Sequence, residues 1–121
     1  LKLEAYFVSS GPIFLTQAAL PHFNRGGRIV IISSVSARMG VPQQTVYAAT
    51  KAATEALVRV WATELGVKYG VTCNAVALGP IATEMYYASD QGFLDSMQPL
   101  INSTPAAHRV GEVSDVVPIV A

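Results

Sequence analysis

Tyr47 and Lys51 stand four residues apart in the run Tyr47-Ala48-Ala49-Thr50-Lys51, and Ser34 lies thirteen residues before the tyrosine. On a helix, residues four apart sit one above the other on the same face. An ammonium beside a phenol favours the phenolate and draws a phenol's pKa down from its reference near ~10 toward working pH. A phenol tuned in this way passes a proton to or from a carbonyl or alcohol oxygen. A serine hydroxyl arriving from a neighbouring strand end is placed to hold that same oxygen. These three residue types at these spacings describe hydride-transfer chemistry at a carbon–oxygen bond, given a nicotinamide alongside.

The elements that must position these residues are legible in the pattern. Residues 2–24 read as a helix, with a broad apolar stripe from Leu3, Tyr6, Phe7, Ile13, Phe14, Leu15, Ala18 and Leu20. Pro12 within it has no N–H, so the carbonyl of Val8 loses its helical partner and a kink is expected there. Asn24-Arg25-Gly26-Gly27 is a turn. The β-branched run Arg28–Ser33 lacks alternation, the mark of a strand buried on both faces of a parallel sheet. A long helix follows over roughly 44–69, stopping at Gly70, and Val71–Ala77 is a second buried strand. Residues 78–82 form a Gly-Pro loop and 83–104 a weakly patterned, partly helical segment. Ser114-Asp115 opens a last helix, with Pro118 tolerated in its first turn. Helix, strand, helix, strand, helix predicts an α/β fold with a parallel sheet and right-handed crossovers, in one unit over residues 1–121.

Composition narrows the function further. In 121 residues, 51% hydrophobic and 13% charged, there is material for one well-buried globular domain and no signature of disorder. Eight basic and eight acidic residues cancel, giving no electrostatic case for nucleic acid or an anionic membrane. The apolar runs are too short to span a bilayer. The single cysteine, Cys73, forms no internal disulfide and suits a reducing, cytoplasmic setting. His22 and His108 lack neighbours at ligand spacing, so no metal site is expected. Leu1-Lys2-Leu3-Glu4 reads as a chain entered mid-element rather than as a signal peptide.

With strand, serine, loop, Tyr-x-x-x-Lys helix and strand in this order, the chain resembles the short-chain dehydrogenase/reductase family, in its ordinary short form. The resemblance runs through Gly27–Ser34, Tyr47 and Lys51, then Asn74–Thr83, and again Arg109-Val110-Gly111-Glu112-Val113-Ser114-Asp115. It implies that Tyr47 is the general acid/base, that Lys51 binds the nicotinamide ribose and tunes the tyrosine, and that Ser34 positions the substrate oxygen. It further implies that Pro80, the Ile81 backbone and the Thr83 hydroxyl hold the nicotinamide amide, that NAD or NADP is the cofactor, and that the substrate is a small carbonyl or alcohol. Residues 84–107 correspond to a variable substrate lid, and the two long helices to a surface that commonly pairs with a second subunit. The chain departs from the family at Leu78-Gly79, where Pro-Gly is usual, and at Val8, which falls on the family's helix asparagine. Pro12 would free the Val8 carbonyl that the asparagine's kink otherwise exposes to a relay water.

The family's glycine-rich phosphate turn has no counterpart here: no Gly-x-Gly-x-x-Gly occurs. The fold class implied is therefore an incomplete doubly wound Rossmann-type parallel sheet, its C-terminal half, with two strands and flanking helices. Two readings stay open: a piece of an NAD(P)-dependent oxidoreductase, or a non-catalytic remnant acting as an interaction or dimerisation module. On either, the 121-residue chain alone should bind NAD(H) or NADP(H) poorly and turn over nothing measurable. Cofactor-dependent carbonyl reduction by the purified chain would overturn that expectation.

Overall fold

A computed structural model describes residues 2–121, with side chains from Ser10 onward. The chain divides into two compact units, 1–77 and 78–121, each considered by itself. In the first, α1 (Lys2–Ala19) passes through a 3-10 turn (Leu20–His22) to β1 (Arg28–Ser34). A second 3-10 turn (Val35–Ala37) and a loop lead to α2 (Thr45–Tyr69), and then to β2 (Thr72–Leu78). The two strands pair in parallel as a two-stranded sheet, giving the α/β class expected. The α1 helix runs through Pro12 rather than ending there. Val8, set against the family asparagine, has a side chain outside the described residues.

Helix α2 is the organising element of this unit and packs on α1, β1 and the 3-10 turn after β1. Its Val58 and Leu65 bury with Val71 and Cys73, and Phe23, Ile29, Ile31 and Trp61 close around them. Ile29 and Ile31 alternate onto the helix-facing side of β1, as the period of a strand requires. The helix ends where Gly70 takes φ 66, a left-handed cap that a glycine adopts without cost. The carbonyl of Gly70 then accepts from the Gly26 amide at 2.8 Å, tying the strand-entry turn to the helix end.

The strands are less buried than their sequence predicts. Only Ser33, Ser34 and Cys73 of β1 and β2 are buried, and Ile32 is 41% exposed. A continuous apolar run signals burial on both faces, but each strand here has a neighbour on one side only.

The second unit, 78–121, contains α3 (Glu84–Tyr87), α4 (Gln91–Asn102) and α5 (Val113–Val120). Thr83 and Asp90 cap α3 and α4 through side-chain oxygens that accept from the amides of Tyr86 and Phe93. Asp115 accepts from the Glu112 amide at 2.7 Å and takes a two-pronged bond from Arg109 at 2.8 and 3.3 Å, fixing the start of α5. Pro118 lies in the second turn of α5, not the first, because the helix begins at Val113. The Ser114 carbonyl thereby loses an intrahelical donor.

One buried carboxylate ties the first unit together. Glu55 of α2, 6% exposed, accepts from the Ser33 hydroxyl at 2.8 Å, while Arg38 donates to its other oxygen from Nε at 3.1 Å and lies 3.0 Å from it through Nη2. Burial alone would raise the pKa of this carboxyl, but the Ser33 and Arg38 hydrogen bonds, with the charges of Arg38 and Arg59, hold it below its ordinary value. A carboxyl lowered on folding contributes stability above its unfolded pKa, and loses it as pH falls through the folded value. Replacing Glu55 by Gln should therefore destabilise the protein by about 1–3 kcal/mol at neutral pH, the difference between charged and neutral hydrogen bonds. Urea unfolding should show that gap closing at acid pH, where the wild-type carboxyl is also neutral; a gap independent of pH would contradict it.

Candidate active site

Ser34 is the last residue of β1, and its side chain is 7% exposed. Its backbone is extended, and its Oγ accepts from the Ser36 amide at 3.2 Å, capping the 3-10 turn that follows. A serine hydroxyl can accept two hydrogen bonds and donate one, so the amide leaves the O–H free to donate. Ser33 and Ser34 take different partners, as alternation at a strand end dictates: Ser33 bonds Glu55, whereas Ser34 bonds its own following turn.

Tyr47 sits in the first turn of α2 and keeps 41% of its surface exposed. Lys51, one turn later, places Nζ 5.6 Å from the centroid of the Tyr47 ring. The same ammonium donates to the carbonyl of Ile32 at 2.8 Å, two residues before Ser34. Burial pulls the Lys51 pKa below the ordinary lysine value. One of its three N–H donors is committed to the strand, leaving two for a ligand's hydroxyls. A second tie joins the serine turn to the start of α2: the Ser36 hydroxyl donates to Oε1 of Gln44, the residue before the helix. Gln43 beside it adopts φ 66, a left-handed conformation uncommon for a residue with a side chain. Ser34, Tyr47 and Lys51 therefore belong to one construction, the end of β1 docked on the start of α2.

The residues matched to a nicotinamide loop lie in the second unit. Pro80 and Ala82 bond the backbone of Gly111, which donates to the Pro80 carbonyl at 2.9 Å and accepts from the Ala82 amide at 2.8 Å. This forms an isolated parallel bridge between Ile81 and Gly111. A Cβ at Gly111 would stand 2.7 Å from Ile81 Cδ1, the flexible end of that side chain, and 3.5 Å from the Pro80 carbonyl oxygen. The Thr83 hydroxyl donates to the Ile81 carbonyl at 3.4 Å as well as capping α3.

Sequence reasoning missed Glu55 and Arg38. A signal for Glu55 was present: it continues the spacing Tyr47, Lys51, Glu55, every fourth residue of one helix. Among the described residues no cluster of potential metal ligands occurs, and no helix is long and apolar enough to cross a membrane.

Comparison with known proteins bears on this arrangement. The family model described as enoyl-(acyl carrier protein) reductase matches residues 7–121. A short-chain dehydrogenase/reductase, FrzI of Cladobotryum sp, is 46% identical over 113 residues, 91% of this chain and 44% of that protein. The L-xylulose reductase of Aspergillus niger is 42% identical over 103 residues, 82% of this chain and 34% of its own. The crystal structure of a short-chain dehydrogenase from Burkholderia cenocepacia in complex with NADP superposes with a TM-score of 0.73 at 34% identity, over 90% of this chain and 42% of that one. The chain thus spans less than half the length of these relatives. With the strand–serine–helix construction and a family match over nearly all its residues, the chain belongs to the short-chain dehydrogenase/reductase family of oxidoreductases.

Proposed function

We propose that the protein carrying this chain is an NAD(P)-dependent oxidoreductase that interconverts a small carbonyl compound and its alcohol by hydride transfer. The observation that carries the reading is the position of Lys51, bonded to the strand that ends in Ser34 and set against the ring of Tyr47. The donor set fits a nicotinamide cofactor, because the Lys51 ammonium keeps two N–H groups for the ribose and the Ser34 hydroxyl keeps its proton. When bound, NAD(P)H supplies the hydride. The remaining work falls to the protein. Ser34 donates to the substrate oxygen and fixes it beside Tyr47. The Tyr47 hydroxyl gives that oxygen a proton in reduction and takes it back in oxidation. Lys51 stabilises negative charge developing on the phenol oxygen and holds the ribose. Pro80, the Ile81 backbone and Thr83 are assigned to the nicotinamide amide.

The exposed Phe14, Leu15 and Val60 on the two long helices support pairing of these helices with a second copy of the protein. One relative named above is an L-xylulose reductase, and one neighbouring structure holds NADP; these support NADP as the cofactor to test first.

In the full-length protein, Tyr47→Phe should lower kcat/KM about 10²–10⁴-fold, the usual worth of a positioned acid/base. NAD(P)H absorbance with a panel of ketones and aldehydes provides the assay. Unchanged turnover would remove Tyr47 from the mechanism, and no turnover in the parent would favour an interaction module. Lys51→Ala should lower kcat and raise the KM for cofactor together. The Lys51 charge is present below its folded pKa and disappears as pH rises through it, earlier than for a lysine titrating near ~10.4. Activity should accordingly fall at lower pH in the wild type than in Lys51→Arg, if the arginine variant stays active enough for a pH–rate profile.

A further inference from the structure

We infer that Glu55 is a positioning residue for the reaction: by clamping Ser33 and Arg38 to α2, it fixes the Ser34 hydroxyl relative to Tyr47. The inference rests on the oxidoreductase reading above and adds a residue to it. Ser33 immediately precedes Ser34, and Arg38 follows it by four residues, so the two groups on the carboxylate flank the serine's segment. Between them the Ser36 amide holds Ser34 Oγ, and the Ser36 hydroxyl reaches Gln44 at the start of α2. The clamp and the tyrosine are rigidly related, because Glu55 and Tyr47 stand eight residues apart on one uninterrupted helix. Lys51 lies midway and bonds Ile32, so residues 32 and 33 of the strand are each anchored to the helix that carries Tyr47.

The alternative is a buried ion pair that merely stabilises the fold. Geometry argues against it. Arg38 keeps 70% of its side chain exposed and sits in the loop that leaves Ser34, so its contact orders a surface loop rather than filling the core. The carboxylate also reaches neither Tyr47 nor Ser34 directly, so it acts through the backbone it holds.

The test uses the full-length protein and two readouts. First, amide hydrogen exchange at Ser36 reports whether Ser34 Oγ is still held. In Glu55→Gln and in the milder Ser33→Ala it should quicken at least ~tenfold more than the amides of α2 beyond Val58, whose own quickening reports only the loss of global stability. Unchanged exchange at Ser36, or quickening no greater than that of α2, would overturn the proposal. Second, kinetics at saturating cofactor separate positioning from folding. Glu55→Gln should lower kcat about 10–100-fold with cofactor KM little changed, since misplacement on the ångström scale carries that penalty. Combined with Ser34→Ala, it should add almost no further loss, because Glu55 acts through that serine. Losses that multiply would overturn the proposal and leave Glu55 a structural residue. A parent protein with no activity would instead overturn the oxidoreductase reading, while Ser36 exchange would still decide whether the clamp exists.

Discussion

The first unit depends on one constraint: the face of α2 bearing Tyr47, Lys51 and Glu55 must sit in a single register on the end of β1. Four residues of helix rise about 6 Å, so the row spans roughly 12 Å, against about 3.3 Å per residue in the strand. Two of the three helix positions are bound to successive strand residues, Lys51 to the Ile32 carbonyl and Glu55 to the Ser33 hydroxyl, both at 2.8 Å. A one-residue slip would turn the row by about 100° and leave a buried carboxylate without donors. Removing one partner of a buried charge costs on the order of 3–5 kcal/mol, a large part of a small domain's stability. The apolar contacts of Val58 and Leu65 tolerate small sliding far better, since dispersion contacts have no fixed direction. Polar pairing therefore sets the register, and apolar packing supplies the adhesion.

That division explains why the two serines at the strand end differ in what they can do. Ser33 and Ser34 have the same chemistry, and alternation alone sends them to different surroundings. Glu55 consumes the Ser33 hydroxyl, which leaves Ser34 as the hydroxyl at this strand end with a proton to donate. In the second unit the same economy holds through backbone rather than charge. Two backbone hydrogen bonds join Gly111 to the segment around Ile81, and Thr83 uses one hydroxyl both to bond the Ile81 carbonyl and to cap α3.

What the sequence made legible follows the strength of its local signals. Tyr47 and Lys51 were readable because a helix fixes their separation, and Ser34 because a strand end followed by a loop fixes its place. The end of α2 was readable from Gly70, whose left-handed φ a Cβ would strain. Glu55 shares the fourfold spacing of Tyr47 and Lys51, but its burial was not readable, because it depends on strand and loop residues 17 to 22 positions away. The half-exposure of β1 and β2 also escaped prediction, because a run of β-branched residues records the sheet it suits and not the number of strands beside it. Pro118 was misplaced because the start of α5 turns on a capping exchange between Glu112 and Asp115, one residue earlier than Ser114 suggested.

The position of Lys51 shows which force prepares this arrangement for a ligand. Its ammonium touches both a ring and a carbonyl, and the two attractions are unequal. A cation near an aromatic face at a partly exposed site is worth about 0.5–1 kcal/mol. A hydrogen bond from a charged donor is worth about 1.5–3 kcal/mol. The strand carbonyl therefore decides where Nζ stands, and the tyrosine ring lies where the helix puts it. Fixing a lysine side chain costs up to about 2 kcal/mol of rotamer entropy, and here that cost falls on folding. A ligand approaching the free N–H groups meets a cation already held by the backbone, so less of its binding energy goes into ordering the lysine. The tyrosine meanwhile keeps 41% of its surface exposed, and nothing in the anchoring of Lys51 requires the phenol oxygen as a partner.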